Sequence, residues 1–374
     1  MKIAMIVERF PPDIGGSGTR FYQIAKRLSH KHEIDIYTLR SANKTRNPEY
    51  AHLRLHRLRM NRPLLPNKHS LDRVVAHALS TYFQLLFRSH DIADIDIWPI
   101  LPFFSTKLAK PTMPAITTWN VVYPFSFNKT ISKTATILAK IASKTSTQNI
   151  SVSVRAKATL IKHMNLDPSK IDVIPNGVDE AFSKITLKPQ KGHIVFVGRL
   201  EPQKRLDLLI QAFRIAKTKI REAELHIIGA GPLRPQITAA SESINGLHVH
   251  EPVTQADKSE LAHQLSRSWV FVSTSEFETY GLSVAESLSM GLPAVLTHTP
   301  YNAAIGELVK HEHNGLIVEH NKPEAIAKAL VRLYENPRLW KTLSHNAKYS
   351  TCFHSWDEVA EKTEAVYEKT RKKQ

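Results

Sequence analysis

Two glutamates, Glu278 and Glu286, bracket a segment whose chemistry suits a phosphorylated sugar. The segment reads as a buried strand from Trp269 to Ser273, a turn through Gly281, and a short helix starting near Leu282 or Ser283. Gly291-Leu292-Pro293 ends that helix with a Gly-then-Pro stop. The free backbone N–H groups and positive dipole end of such a helix form an anion site. A carboxylate accepts paired hydrogen bonds from vicinal hydroxyls, as on a ribose or hexose. Two glutamates alone would be ordinary surface residues; the strand, glycine turn and helix give them a site to flank.

Three further groups could serve the same ligand. Gly198-Arg199-Leu200-Glu201-Pro202-Gln203-Lys204 follows the strand His193 to Val197 and precedes a helix. Arg199 and Lys204 flank that helix start and can grip a diphosphate from two sides. Pro11-Pro12-Asp13-Ile14-Gly15-Gly16-Ser17-Gly18 lies between the strand Lys2 to Val7 and an amphipathic helix from Thr19 to His30, a phosphate-cradle arrangement. A nicotinamide-binding motif is its rival. Thr19-Arg20-Phe21 supplies no third glycine, however, and the strand Glu33 to Thr38 ends without a carboxylate.

These motifs resemble the retaining glycosyltransferases of the GT-B fold, family 4 (glycosyl transferases group 1). The likeness lies in the E-x7-E segment from Glu278 to Glu286, in Gly198-Arg199-Leu200 with Lys204, and in Gly229-Ala230-Gly231-Pro232-Leu233. Pro175-Asn176-Gly177-Val178-Asp179 and the Pro-Pro-x-x-Gly-Gly loop add to it. It covers nearly the whole chain, least from about 40 to 115. It implies transfer of a hexose from a nucleotide diphosphate sugar to an acceptor hydroxyl, with retention. The acceptor would be lipid-linked or a cell-surface glycan precursor.

In this reading Arg199, Lys204 and Glu278 are the catalytic set. Gly198, Gly281, Leu282 and Ser283 line the donor diphosphate, Glu286 holds the ribose and Pro252 lies by the base. Gly15 and Gly16 close over the donor from the other domain. Asn120 ends the strand Ala115 to Trp119, where relatives often carry histidine; an amide can bind a sugar hydroxyl but carries no proton. No cofactor is expected beyond the donor. No metal is expected either, since Asp94 and Asp96 fall within a strand. A sugar-nucleotide epimerase or phosphorylase on the same fold, and a nucleotide- or lipid-binding protein without turnover, stay open beside the transferase.

The 374 residues suffice for two full cores. Recurring strand–helix–strand patterns predict an α/β chain of two facing, doubly wound, Rossmann-like domains with a cleft between them. The expected division is an acceptor-binding domain over 1–187, a nucleotide-sugar domain over 188–352, and a last helix over 353–374 returning to the first domain. The single cysteine, Cys352, excludes an internal disulfide and a cysteine metal cluster. Without a signal peptide or spanning segment the expected location is cytoplasmic. The net charge of +17 is uneven: residues 1–185 hold 27 Lys and Arg against 13 Asp and Glu. Lys129, Lys133, Lys140 and Lys144 share one face of a helix from Asn128 to Lys144, opposite Ile131, Ala135, Leu138 and Ala142. A solvated face is the simple account; the alternative is contact with the anionic cytoplasmic face of the membrane. No nucleic acid is expected.

Overall fold

A computed structural model describes residues 1–13, 15–39, 53–58, 71–122, 129–253, 258–350 and 352–372, the side chains of 58, 71 and 129–132 excepted. Ile14 and Asn128 lie outside the described residues. The chain divides into two compact units, Met1–Gly177 with Trp356–Gln374, and Val178–Ser355.

In the first unit, strands β1 (Lys2–Ile6), β2 (Glu33–Leu39), β3 (Arg54–Leu58), β4 (Ile92–Asp96), β5 (Ala115–Trp119), β6 (Gln148–Ser151) and β7 (Ile171–Val173) form one sheet in the order 3-2-1-4-5-6-7. Every pairing is parallel. The helices are α1 (Gly16–Leu28), α2 (Leu71–Leu86), α3 (Leu101–Ala109), α4 (Lys129–Thr145) and α5 (Val154–Met164). Parallel strands need such crossovers, which cover both faces and account for the burial of every residue of β4 and β5. Two-residue strands β8 (Gly177–Val178) and β15 (His354–Ser355) stand where the chain leaves the first unit and returns to it.

The second unit begins with α6 (Glu180–Lys184). Strands β9 (His193–Val197), β10 (Glu224–Ile228), β11 (Leu247–His250), β12 (Val270–Ser273), β13 (Ala294–His298) and β14 (Gly315–Glu319) pair in parallel in the order 11-10-9-12-13-14. Its other helices are α7 (Leu206–Lys217), α8 (Arg234–Ser243), α9 (Lys258–Ser266), α10 (Leu282–Ser289), α11 (Ala304–Glu307), α12 (Pro323–Glu335) and α13 (Pro337–Lys348). The last helix, α14 (Trp356–Arg371), belongs to the first unit and packs on α1. Its Tyr367 hydroxyl donates to Asp94 Oδ2 at 2.5 Å, and Glu364 Oε1 meets His32 Nε2 at 2.7 Å.

Two local readings change, and two stretches find their place. The division falls at Gly177, not at 187, because Asp179 caps α6 (Oδ1 to Ala181 N, 3.1 Å), and α6 packs on α9 and α10. Helix α1 begins at Gly16, so three residues read as loop form its first turn, closed by Thr19 N on Gly15 O at 3.0 Å. The apolar stretch 99–104 runs into α3, where Phe103 is core. Helix α2 buries Arg73, His77, Ala78, Thr81 and Leu85, and leaves Leu79 and Phe83 exposed by 53% and 57%; Phe87, just past its end, is 85% exposed.

Candidate functional site

Strand order reverses between β9 and β12 in the second sheet, and between β1 and β4 in the first. Ligands of doubly wound sheets bind in the crevice beyond the carboxyl ends of strands at such a switch. The residues read from the sequence as the site stand after these four strands or their neighbours, except Pro252, which follows β11.

Beyond β9 the chain passes close to the loop after β10. A Cβ on Gly229 would lie 1.9 Å from Gly198 O, and one on Gly231 2.4 Å from Leu200 O. Leu200 N donates to Ala230 O at 2.8 Å. This packing fixes the backbone on either side of Arg199. Arg199 Nη1 donates to Glu201 Oε1 at 2.8 Å, and Gln203 Nε2 to Glu201 Oε2 at 3.0 Å. Lys204 closes the 3-10 turn Pro202–Lys204. Buried Thr274, beyond β12, donates its hydroxyl toward Lys204 O (2.8 Å) and Arg205 O (2.9 Å), lashing the two loops together.

Lys204 Nζ thereby reaches Glu278 Oε1 at 2.5 Å, an oxygen that also accepts from Ser275 Oγ at 2.9 Å. Glu278 is held by its backbone as well: its N donates to Tyr301 O (3.1 Å) and its O accepts from Ala303 N (2.8 Å). Three residues on, Gly281 takes φ +94° to open α10, and a Cβ there would sit 2.9 Å from Ala304 Cβ. Leu282 and Ser283 are its first two residues, with no side-chain cap before them. Their backbone amides make the expected anion site geometrically available.

Glu286, one turn further, is 4% exposed, and Lys258 Nζ meets its Oε1 at 2.5 Å. Burial pushes the Glu286 carboxyl above the usual range, and Lys258 draws it back. The Lys258 ammonium also lies 5.4 Å from the ring centroid of buried Phe182. Pro252 is partly buried in the loop after β11, next to residues 254–257, which lie outside the described residues. Arg234 steadies that loop through Gly229 O and His250 O, both at 2.8 Å, and Glu251 Oε1 at 2.6 Å.

At the switch of the first sheet, Asn120 is 9% exposed and its Nδ2 donates to Asp96 Oδ1 at 3.3 Å. Asn120 Oδ1 is buried with no hydrogen-bond partner among the described residues. Burial pushes the Asp96 carboxyl up to about 7; hydrogen bonds from Asn120 and Ser17 oppose the rise, and the Glu8 and Asp94 charges add to it. Asp94 accepts from Thr118 Oγ1 at 2.6 Å as well as from Tyr367. Gly15 and Gly16 have open space where a Cβ would stand. Gly18 does not: a Cβ would lie 2.6 Å from Arg9 O, so Gly18 is the glycine this turn requires.

Strand placement had removed Asp94 and Asp96 from the sequence reading. Asp96 nonetheless ends β4 at the ligand-facing edge. Its neighbour in space, Asn120, comes from β5, a contact that no local spacing encodes. Glu201 and Lys258 were missed for a similar reason: each is an unremarkable charge until a loop brings its partner within reach. Among the described lysines of α4, Lys133 and Lys144 are exposed and Lys140 is half-buried, and the Lys129 side chain lies outside the described residues. Ile137 and Ile141, 60% and 44% exposed, stand on the same helix as these lysines.

Asp96 has a measurable consequence. An acid ionising near 3.8 unfolded and about 7 folded adds stability that is complete below pH 4 and lost as pH rises through 7. The Asp96→Asn variant should flatten that slope and gain roughly 2–4 kcal/mol at pH 8. Urea unfolding of the full chain at pH 5 and pH 8 reads this directly. An unchanged slope would show that Asp96 ionises freely.

The description "Glycosyl transferases group 1" belongs to a family model matching residues 178–350, and "Glycosyltransferase Family 4" to one matching residues 14–182. Together they span 14–350, and the chain belongs to the glycosyltransferases of the GT-B fold. An uncharacterized glycosyltransferase of Methanocaldococcus jannaschii is 25% identical across 98% of both chains. The UDP-Gal:alpha-D-GlcNAc-diphosphoundecaprenol alpha-1,3-galactosyltransferase of Escherichia coli is 29% identical over 61% of this chain and 62% of its own. In fold, sucrose-phosphate synthase from Thermosynechococcus elongatus superposes with a TM-score of 0.81 at 17% identity, covering 98% of each chain. Anabaena HepE, solved with UDP and glucose, gives 0.74 at 16% identity, covering 98% of this chain and 99% of its own.

Proposed function

We propose that the chain transfers a hexose from a nucleotide diphosphate sugar to an acceptor hydroxyl, with retention of anomeric configuration. The observation that carries this reading is the assembly around the β9/β12 switch: Arg199, Lys204, Glu278 and the α10 N-terminus, fixed by the Thr274 and Gly229 contacts. As the glycosidic bond breaks, negative charge grows on the leaving diphosphate. Cations and amides already in place stabilise that charge without reorganising. Gly198 lets the phosphates approach the backbone, and Arg199 and Lys204 exchange their carboxylate partners for phosphate oxygens.

Glu278, so released, accepts hydrogen bonds from donor-sugar hydroxyls. Glu286, kept in place by Lys258, accepts from the ribose diol. Pro252 stands on the loop after β11, two strands from β9 and so roughly 10 Å along the sheet, a suitable reach for the base. Asn120 Oδ1 offers a buried acceptor to a sugar hydroxyl, Asp96 steadies it, and Gly15 and Gly16 leave room for the donor. Fixed cations take the part of magnesium, so turnover should persist in EDTA; loss on chelation, restored by magnesium, would refute this.

The names of relatives support a uridine nucleotide and a lipid-diphosphate acceptor. The exposed apolar side chains of α2, with Ile137, Lys133 and Lys144 on α4, support a peripheral membrane position. No described helix is long and apolar enough to cross a membrane. Replacing Lys129, Lys133, Lys140 and Lys144 with glutamine should release the chain from anionic vesicles in a sedimentation assay. Equal sedimentation would place the contact elsewhere.

The direct test is thermal shift against uridine, guanosine and adenosine diphosphates. A ligand at a hundred times its Kd adds about 2.7 kcal/mol, a shift of roughly 5–10 °C for a unit of this size. Arg199→Ala should keep the unliganded Tm and lose the shift. A full shift in that variant would move the phosphate site.

A further inference from the structure

Five side chains on one face of the second sheet remain outside the donor site. His193 opens β9, Glu224 and His226 stand on β10, and His248 and His250 on β11. In register Glu224 pairs with His193, and His226 with His248. A period of two along each strand keeps all five on the same face. We propose that His193, Glu224 and His226, with His248 as fourth ligand, bind one divalent transition metal of the zinc class.

The geometry centres on a single oxygen. Glu224 Oε2 lies 3.3 Å from His193 Nε2, 3.3 Å from His226 Nε2 and 3.9 Å from His248 Nε2. Bonds of 2.0–2.1 Å around a tetrahedral ion give ligand–ligand edges of roughly 3.3–3.4 Å. The ligand atoms of His193, Glu224 and His226 all lie within 4.8 Å of one another. Rotamer shifts of about an ångström close this set on an ion. The imidazole rings are already aligned: His226 stacks on His248 with centroids 4.9 Å apart at 19°, and lies 5.2 Å from His193 at 31°.

A second observation distinguishes a ligand set from a carboxylate shared among imidazoles. His226 Nε2 is buried and makes no hydrogen bond among the described residues, although Glu224 is near. Its Nδ1 meets His250 Nε2 at 2.9 Å. When Nδ1 carries the proton and donates it to His250, Nε2 presents a lone pair toward a carboxylate, which an intervening cation satisfies. His250 then plays the outer partner that fixes the tautomer of a metal-bound histidine. Imidazole with one carboxylate suits zinc and its neighbours and disfavours magnesium.

His193 lies six residues before Arg199, roughly 20 Å back along the strand direction. The metal therefore acts as a clasp across β9, β10 and the edge strand β11, apart from sugar transfer.

The test uses the full chain without an affinity tag, stripped with EDTA, dialysed and titrated with zinc chloride by calorimetry. One equivalent should bind with a Kd of micromolar or tighter, and Tm should rise. Magnesium should leave both unchanged. His226→Ala and the milder Glu224→Gln should abolish the binding, with circular dichroism confirming the fold. His250→Ala should weaken it about 10–100-fold. Arg199→Ala should bind zinc normally, and the stripped protein should retain nucleotide binding. Absence of binding in the full chain would overturn the proposal. So would binding that survives both Glu224→Gln and His193→Ala.

Discussion

Lys204→Ala is expected to lower kcat by roughly 10²–10³, equivalent to about 2.7–4 kcal/mol of transition-state stabilisation. In the structure the Lys204 ammonium pairs with Glu278, and both side chains are about 15% exposed. Removing it costs modest stability, because part-exposed pairs are screened and small in net worth. The effect belongs to the reaction: charge on the leaving diphosphate is greatest when the glycosidic bond is most stretched, so kcat should fall more than donor affinity. Lys204→Arg keeps the charge but alters the reach to Glu278 and the phosphate, and should recover only part of the rate. Single-turnover kinetics at saturating donor give the decisive number. A rate within threefold of the parent chain would remove Lys204 from the chemistry and leave Arg199 and the α10 amides as the diphosphate's support.

Lys258→Met should be the most destabilising single change among the site residues. Glu286 would remain almost wholly buried with its cation gone. Breaking a buried pair from one side costs about 3–5 kcal/mol, limited by the option of protonating the carboxyl. Burial already lifts the Glu286 carboxyl above its ordinary range, so loss of Lys258 should raise it further. The variant should accordingly regain stability as pH falls, the reverse of a carboxylate held by a salt bridge. The double variant Lys258→Met, Glu286→Leu should restore most of the stability at neutral pH, since a buried ion pair and an apolar pair of similar volume are close in free energy. It should not restore the nucleotide-induced thermal shift. Recovery of both would make Glu286 a packing residue and deny it the ribose.

Much of the second unit was legible in local sequence. Glycines that must approach another backbone, a strand ending in a turn, and a helix opened by Gly281 are short-range features. Arg199, Lys204, Glu278 and Glu286 could be named from them, and the structure brings Lys204 to Glu278. The α2 face was not legible there, because hydrophobic periodicity identifies an amphipathic helix without saying which stripe is covered. Here the buried stripe carries Arg73 and His77.

Local sequence set the two α/β repeats, the family, and the order of cations and carboxylates along the chain, because each rests on residues within a few positions of one another. Tertiary structure alone decided the partners: Lys258 for Glu286, Glu201 for Arg199, Asp96 for Asn120, and three histidines around Glu224. Parallel pairing sets residues tens of positions apart about 5 Å from each other. Ionisation and metal affinity depend on that distance and on burial, and neither is written in the spacing of one strand.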